Sequence, residues 1–175
     1  MATGMEVANY VVEYYNDKKE NSNFKPLTNL KLQKVLYFIQ GWSLTEFEAP
    51  IINEPFEKWK YGPVIRSVYR EFKSQGADEL VNPMGIAKIE NNDVKFETPM
   101  LKDDDLEKGI ELKNLINKLL QNPVSDLVRE THREAPWKDS KVDIENGISD
   151  LKYTDDEIKK VFTNDETAKK FIAIK

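Results

Sequence analysis

The chain has 175 residues and a mass of 20.3 kDa, long enough to bury a core and too short for two large independent domains. Apolar residues make up 39% and aromatics 10%, too many for a disordered chain even though 33% of the side chains are charged. A formal net charge of -5 and a pI near 5.1 argue against broad attraction to phosphate backbones.

The absence of cysteine excludes a disulfide scaffold, a Cys-ligated zinc or iron–sulfur site and any thiol nucleophile, and it fits a reducing cytoplasm. Residues 1–15 carry Glu6 and Glu13 and lack a basic, then apolar, leader pattern, so no signal peptide is expected. No run of eighteen apolar residues is present, and no membrane partner is expected. Charge is uneven. Residues 25–73 hold eight Lys/Arg against five Glu, a balance of +3, whereas residues 76–175 hold 16 basic against 22 acidic side chains, a balance of -6. A mildly basic middle can act as a docking face, although spread-out charge more often marks a solvated surface.

In chain order, residues 5–15 predict a first helix, with Met5, Ala8 and Val12 on one stripe and Val7, Val11 and Tyr14 beside it. A polar stretch from Asn16 to Asn23 ends it. After Pro26, Thr28 can cap a second helix that runs to about Trp42. Leu32, Val35, Leu36 and Ile39 form one face of it, and Leu30, Tyr37, Phe38 and Trp42 extend the apolar surface around most of the circumference, which marks a central helix buried on several sides. Residues 55–61 (PFEKWKY) alternate as an extended stretch would, with odd positions facing inward. Gly62 is then expected at a helix N-cap and Pro63 at the first helical position. Val64, Ile65, Val68, Tyr69 and Phe72 give an amphipathic stripe up to Gly76, with Arg66, Arg70 and Lys73 outward.

Residues 86–89 and 94–97, separated by Glu-Asn-Asn-Asp, read as a β-hairpin. Asp103, Asp104 and Asp105 suit the positive end of a helix whose apolar face is Leu112, Leu115, Ile116, Leu119 and Leu120. That helix stops at Asn122-Pro123, where Asn122 can cap a short helix over residues 124–131 with Val124, Leu127 and Val128 on one side. Thr154 with Glu157, and Thr163 with Glu166, match the capping-box spacing and predict two C-terminal helices. Their Ile158, Val161, Phe162, Phe171 and Ile172 favour docking onto another surface. The expected fold is a mainly α (α+β) unit spanning 1–175: a compact helical domain around a central buried helix with a small β-hairpin.

Strong catalytic patterns are absent: no Walker A, dinucleotide glycine pattern, H-E-x-x-H, EF-hand loop or G-x-S-x-G elbow occurs. His132 is the only histidine, too few for a His-rich metal site or a two-histidine acid/base scheme. Acidic pairs such as Asp104/Asp105 and Asp155/Asp156 fall at helix starts, where the helix dipole already accounts for them. Neither catalytic residues, a metal nor a cofactor is expected. Residues 131–137 (THREAPW) place an imidazole, a hydroxyl and a Pro-Trp pair just past a helix end. A structural role is favoured, with Trp137 as an anchor whose indole N–H finds a carbonyl, and His132 or Thr131 satisfying open helix-end groups. Trp59, Tyr61 and the Gly62-Pro63 corner can either complete a core or anchor a binding site.

Three blocks together, residues 27–41 (LTNLKLQKVLYFIQG), 56–64 (FEKWKYGPV) leading to 68–72 (VYREF), and 131–137, resemble the Panacea domain, the SocA-like or GepA-like family of phage-associated proteins. The resemblance covers residues 7–138, leaving 139–175 as a helical extension. Its motif positions fall on Thr28, Leu32, Gln33 and Tyr37, on Trp59, Gly62, Pro63 and Val64, and on Thr131, His132, Pro136 and Trp137. The resemblance implies an antitoxin that neutralises a cognate protein toxin by direct binding, with delivery of the toxin to the ClpXP protease, as in one family member, a second route. Candidate surfaces are the hairpin, the corner from Trp59 to Pro63 and the basic helix face, and candidate contacts are Trp59, Tyr61, Arg66 and Arg70. Two other readings compete. A DNA-binding phage or prophage regulator lacks a basic recognition helix, so nucleic acid is not expected as a partner. A small hydrolase or nuclease would have to use His132.

Overall fold

The computed structural model describes residues 1–91, 93–102 and 108–174, and the expected central helix organises it. Thr28 holds an extended backbone and its side chain accepts the Lys31 amide at 3.3 Å, opening helix α2 (Asn29–Glu46), which continues a turn past Trp42. Of its 18 residues 15 are buried, and they lie on every side. Such a helix needs neighbours all round, and α1 (Gly4–Lys18), α3 (Arg66–Phe72), α4 (Gly109–Gln121), α5 (Val124–Arg133), α8 (Asp155–Asn164) and α9 (Glu166–Ile172) pack against it. Leu32, Val35, Leu36 and Ile39 are completely buried in the shared core. The mainly helical α+β class is as expected.

All-round burial also takes in polar side chains, and each has a bonding role. Lys31 sends its ammonium to the carbonyls of Lys25 (2.9 Å) and Leu120 (2.6 Å), tying the loop before α2 to the end of α4. Burial, with the charge of Lys25 adding to it, pulls its pKa down to about 8. Gln40 exchanges two bonds with the backbone of Ile52, fixing the segment after α2, and its amide also donates to Asp155 Oδ1 at 3.2 Å. At Gly41 an added Cβ would lie 2.1 Å from the Phe162 ring. That contact lets α8 approach the backbone of α2, with the Phe162 ring 5.6 Å from Tyr37 and 5.5 Å from Phe38.

Helix α1 begins earlier than the apolar stripe suggested, because Thr3 and Glu6 form a capping box. It also runs to Lys18, since Asn16, instead of ending the helix, donates from its amide to the carbonyls of Val12 and Val81. The C-terminal pair divides. Thr154 and Glu157 form the expected box at α8. Thr163, expected to cap α9, lies inside α8. Asp165 caps α9 instead, accepting from the amides of Thr167 (2.8 Å) and Ala168 (3.1 Å). Its carboxylate is already placed there by Arg133 at 2.6 Å.

Four further expectations are corrected. Gly62 and Pro63 do not start a helix. They lie in strand β2 (Gly62–Val64), paired antiparallel with β1 (Glu57–Trp59), and α3 starts after Ile65 with no side-chain cap. The inward set in residues 55–61 is not the odd one: Phe56 is buried, while Pro55 and Tyr61 are exposed, because the strand is three residues long and turns at Lys60 and Tyr61. Asn122 does not cap α5. Its amide donates to the Lys118 carbonyl and closes α4, leaving Pro123 at the cap position. Thr131 and His132 lie in the last turn of α5, not beyond it, and Pro136 and Trp137 belong to the short α6 (Ala135–Lys138).

The hairpin is present one residue longer on each side, as β3 (Ile86–Glu90) and β4 (Asp93–Glu97). In α4, Leu112, Leu115, Ile116, Leu119 and Leu120 are all buried. Asp103, Asp104 and Asp105 lie outside the described residues. A further short helix, α7 (Lys141–Glu145), joins α6 to the C-terminal pair, whose Ile158, Phe162 and Ile172 complete the chain's own core. Among the described residues no helix is long and apolar enough to cross a membrane.

Candidate functional site

The three sequence blocks meet at one place, the β1–β2 hairpin. Gly62 sits opposite Trp59 with φ of 91°, a conformation that favours glycine, and a Cβ there would lie 2.5 Å from Thr131 Oγ1. From the first block, the Lys34 ammonium donates to the Pro63 carbonyl at 2.9 Å, and the Gln33 side-chain oxygen accepts the Ile65 amide at 2.9 Å. Gln33 is held by Asn29, which in turn donates to the Tyr69 carbonyl. From the third block, the Trp137 indole donates to the Trp59 carbonyl at 2.9 Å, the carbonyl partner expected for it. His132 stacks on Trp137 with ring centroids 3.8 Å apart and planes 15° from parallel. Two blocks therefore grip the third from either side.

Held in this way, the hairpin forms one wall of a 660 Å³ groove against the start of α2, with Thr28, Leu30, Gln33, Trp59, Tyr61 and Tyr69 in its lining. The Trp59 indole N–H donates to Glu57 Oε2 at 2.8 Å, and its ring meets Tyr69 edge-on at 4.9 Å, so the aromatic wall is fixed. Tyr61 is 56% exposed at the hairpin tip, and Lys60 and Lys73 add positive charge to the lining. A groove with an aromatic wall and a few polar groups can take a side chain or short segment of another polypeptide.

The other expected contacts are placed differently. Arg66 is half-buried and its guanidinium is engaged inside the chain, with Glu57 at 2.7 Å and Asp150 at 3.1 Å, so it does not face outward as a ready anchor. Arg70 is exposed on α3. Thr131, Pro136 and Trp137 are buried beneath the hairpin, and Thr131 donates its hydroxyl to the Val128 carbonyl inside its own helix. Since α3 has seven residues and one of its arginines is neutralised, it offers no basic recognition helix for DNA.

Sequence reasoning passed over the buried charges under the groove. Lys34 is completely buried, and burial pulls its pKa to about 7 against the charge of Glu134. Burial pushes Glu134 up to about 8, opposed by the hydrogen bond from Tyr37 at 2.7 Å. At Glu57 burial works upward too, but the bonds from Arg66 and Trp59 and the guanidinium charge outweigh it and hold the carboxyl below its ordinary value. Burial lowers His132, with the charge of Lys34 acting in the same sense. The signal for these residues was a lysine inside a helix apolar on every face. Among the described residues, His132 Nε2, Glu134 Oε1 and the Tyr153 hydroxyl are buried without a hydrogen-bond partner. Among the described residues no group of three or more His, Cys, Asp or Glu is placed to hold a metal ion.

Residues 32–138 match the antitoxin SocA-like, Panacea domain family; residues 7–31, which the sequence resemblance took in, lie outside that match. Antitoxin SocA of Caulobacter vibrioides (strain NA1000 / CB15N) is 34% identical over 113 residues, 64% of this chain and 58% of that protein. The chain therefore matches less than two thirds of that relative's length. No solved structure matches. The family match spans more than half of the chain and contains Gln33, Lys34, the β1–β2 hairpin, Thr131 and Trp137, the parts that build the groove wall: the chain belongs to the antitoxin SocA-like, Panacea domain family.

Proposed function

We propose that the protein is a cytoplasmic antitoxin, a single unit over residues 1–175, that neutralises a cognate protein toxin by direct binding and not by turnover. The observation that carries this reading is the convergence of the family's three blocks on one rigid hairpin beside an aromatic groove. Rigid aromatic anchors contribute much of the energy of protein interfaces at low entropic cost. Trp59 and Tyr61 are the proposed contacts in the groove, with Thr28 in its lining and Arg70 on α3 and Lys73 just after it steering. Gly62, Pro63, Thr131, His132, Pro136 and Trp137 support the wall. Arg66 acts through Glu57 and not by touching the partner.

Occlusion of the toxin is the proposed mechanism, and delivery to ClpXP is its measurable rival. The test is co-purification with the product of the neighbouring gene. A stoichiometric complex that relieves growth arrest supports the proposal; no association at micromolar concentration, with the toxin still active, overturns it. Equal toxin lifetimes in cells with and without ClpXP support occlusion, and a toxin that persists only without the protease favours delivery.

A further inference from the structure

We infer that the β3–β4 hairpin is a docking arm whose apolar face seats in an uncharged groove of the partner polypeptide. The inference rests on the antitoxin reading and adds a surface that the groove does not include. In the register of the hairpin, Ile89 faces Val94 and Ala87 faces Phe96, so these four side chains share one face of the two-stranded sheet. That face carries no charge and is not covered: Ile89 is 80%, Val94 61% and Phe96 79% exposed. All the charges of the strands lie on the opposite face, where Lys88 pairs with Glu97 and Lys95 with Glu90. A hairpin folded onto its own domain would turn the other way.

The root of the arm is fixed while its face is open. Asn9, completely buried in α1, accepts the Met84 amide at 2.8 Å and donates to the carbonyls of Met84 (2.9 Å) and Pro99 (2.8 Å), clamping both ends of the hairpin. A two-stranded ribbon is marginal in water on its own, and this one is pinned where it leaves the domain, so its apolar face is held ready for a partner. Three chemistries can cover such a face. A second copy stacked on it would bury roughly 400 Å² on each side, about half of what a stable interface needs. An anionic membrane would meet strands with three acidic and two basic side chains, Glu90, Asp93 and Glu97 against Lys88 and Lys95. A different polypeptide that continues past the hairpin meets neither limit.

The experiment uses the full chain carrying Ile89→Asp and Phe96→Asp together, titrated with the neighbouring gene's product and followed by light scattering and thermal melting. The expected result is a monomeric wild type that binds, and a variant whose melting temperature is unchanged while its affinity falls at least about 30-fold. Binding within twofold of wild type overturns the inference and leaves the antitoxin reading standing; no binding by wild type overturns both. A wild-type dimer that the variant dissolves assigns the face to self-association and also overturns it. Hydrogen exchange on the unmodified complex is the second reading: protection of the backbone amides of β3 and β4 supports the arm, and unchanged exchange there overturns it even where the double variant unfolds.

Discussion

The two hairpins of this protein have the same antiparallel pairing and opposite supports. The β1–β2 ribbon has three residues per strand, too short to persist by its own ladder, and it stands because Lys34 and Trp137 bond its backbone from two different helices while Gln33 holds the Ile65 amide just past β2. The β3–β4 ribbon has five residues per strand and internal ion pairs, and beyond its clamped root its strands are exposed. Sequence distance explains the contrast. The first ribbon is built by residues 29 to 137 acting together, the second almost entirely by residues 84 to 99. Mutations should therefore unfold the domain through the first and alter only recognition through the second.

The largest expected effect comes from Trp137→Ala, which removes the bond to the Trp59 carbonyl, the His132 stack and a buried aromatic at once. A loss of about 4 kcal/mol is expected in urea denaturation. A loss below about 1 kcal/mol would break the contrast, because the short ribbon would then stand without its clamp. Gly62→Ala comes next, at about 3 kcal/mol, since the positive φ and the 2.5 Å approach to Thr131 both resist a Cβ. Thr131→Gly in the same chain should recover part of that loss by removing the clash but not the backbone strain.

The third effect appears in pH dependence. Lys34 titrates near 7 when folded and near 10.4 when unfolded, so between those values the unfolded chain binds more protons and stability from this group rises with pH. Melting of wild type and Lys34→Met from pH 7 to pH 10 should show that rise, up to ~1 kcal/mol per pH unit, in the first protein only. Glu134 has the opposite sign. Its folded pKa near 8 lies above the unfolded value, so its contribution is complete below about pH 4.3 and is lost as pH rises through 8. Glu134→Gln should flatten that fall. Smallest of all is Lys95→Ala in the exposed ribbon, where breaking the pair with Glu90 should shift the melting temperature by less than about 1 °C.

What could be read in the sequence follows from how local each decision is. Helix α2 was legible because its apolar residues fill the whole circumference and Thr28 marks its start. Thr154 and Glu157 were legible because a capping box is decided within four residues. Gly62-Pro63 misled for the opposite reason: the pair suits a helix start and a tight hairpin equally, and the choice is made by Lys34 and Thr131, far away in the chain. Thr163 lost to Asp165 because Arg133, thirty-two positions earlier, holds the aspartate in place. At the site, Trp59 and Tyr61 showed themselves as aromatics in an extended stretch and do line one groove with Thr28. Arg66 looked free in the sequence, yet its guanidinium lies on Glu57 nine residues back and on Asp150 in a loop that no local pattern ties to it.

The seat of Phe162 against Gly41 limits how this chain can be divided. A version trimmed after Lys138, at the end of the family match, would uncover Tyr37, Phe38 and a stretch of helix backbone that has no side chain of its own to shield it. Water would enter the middle of the molecule through that opening. The family match and the packed core therefore have different boundaries, because the segment beyond residue 138 supplies the Phe162 ring that covers Gly41, Tyr37 and Phe38.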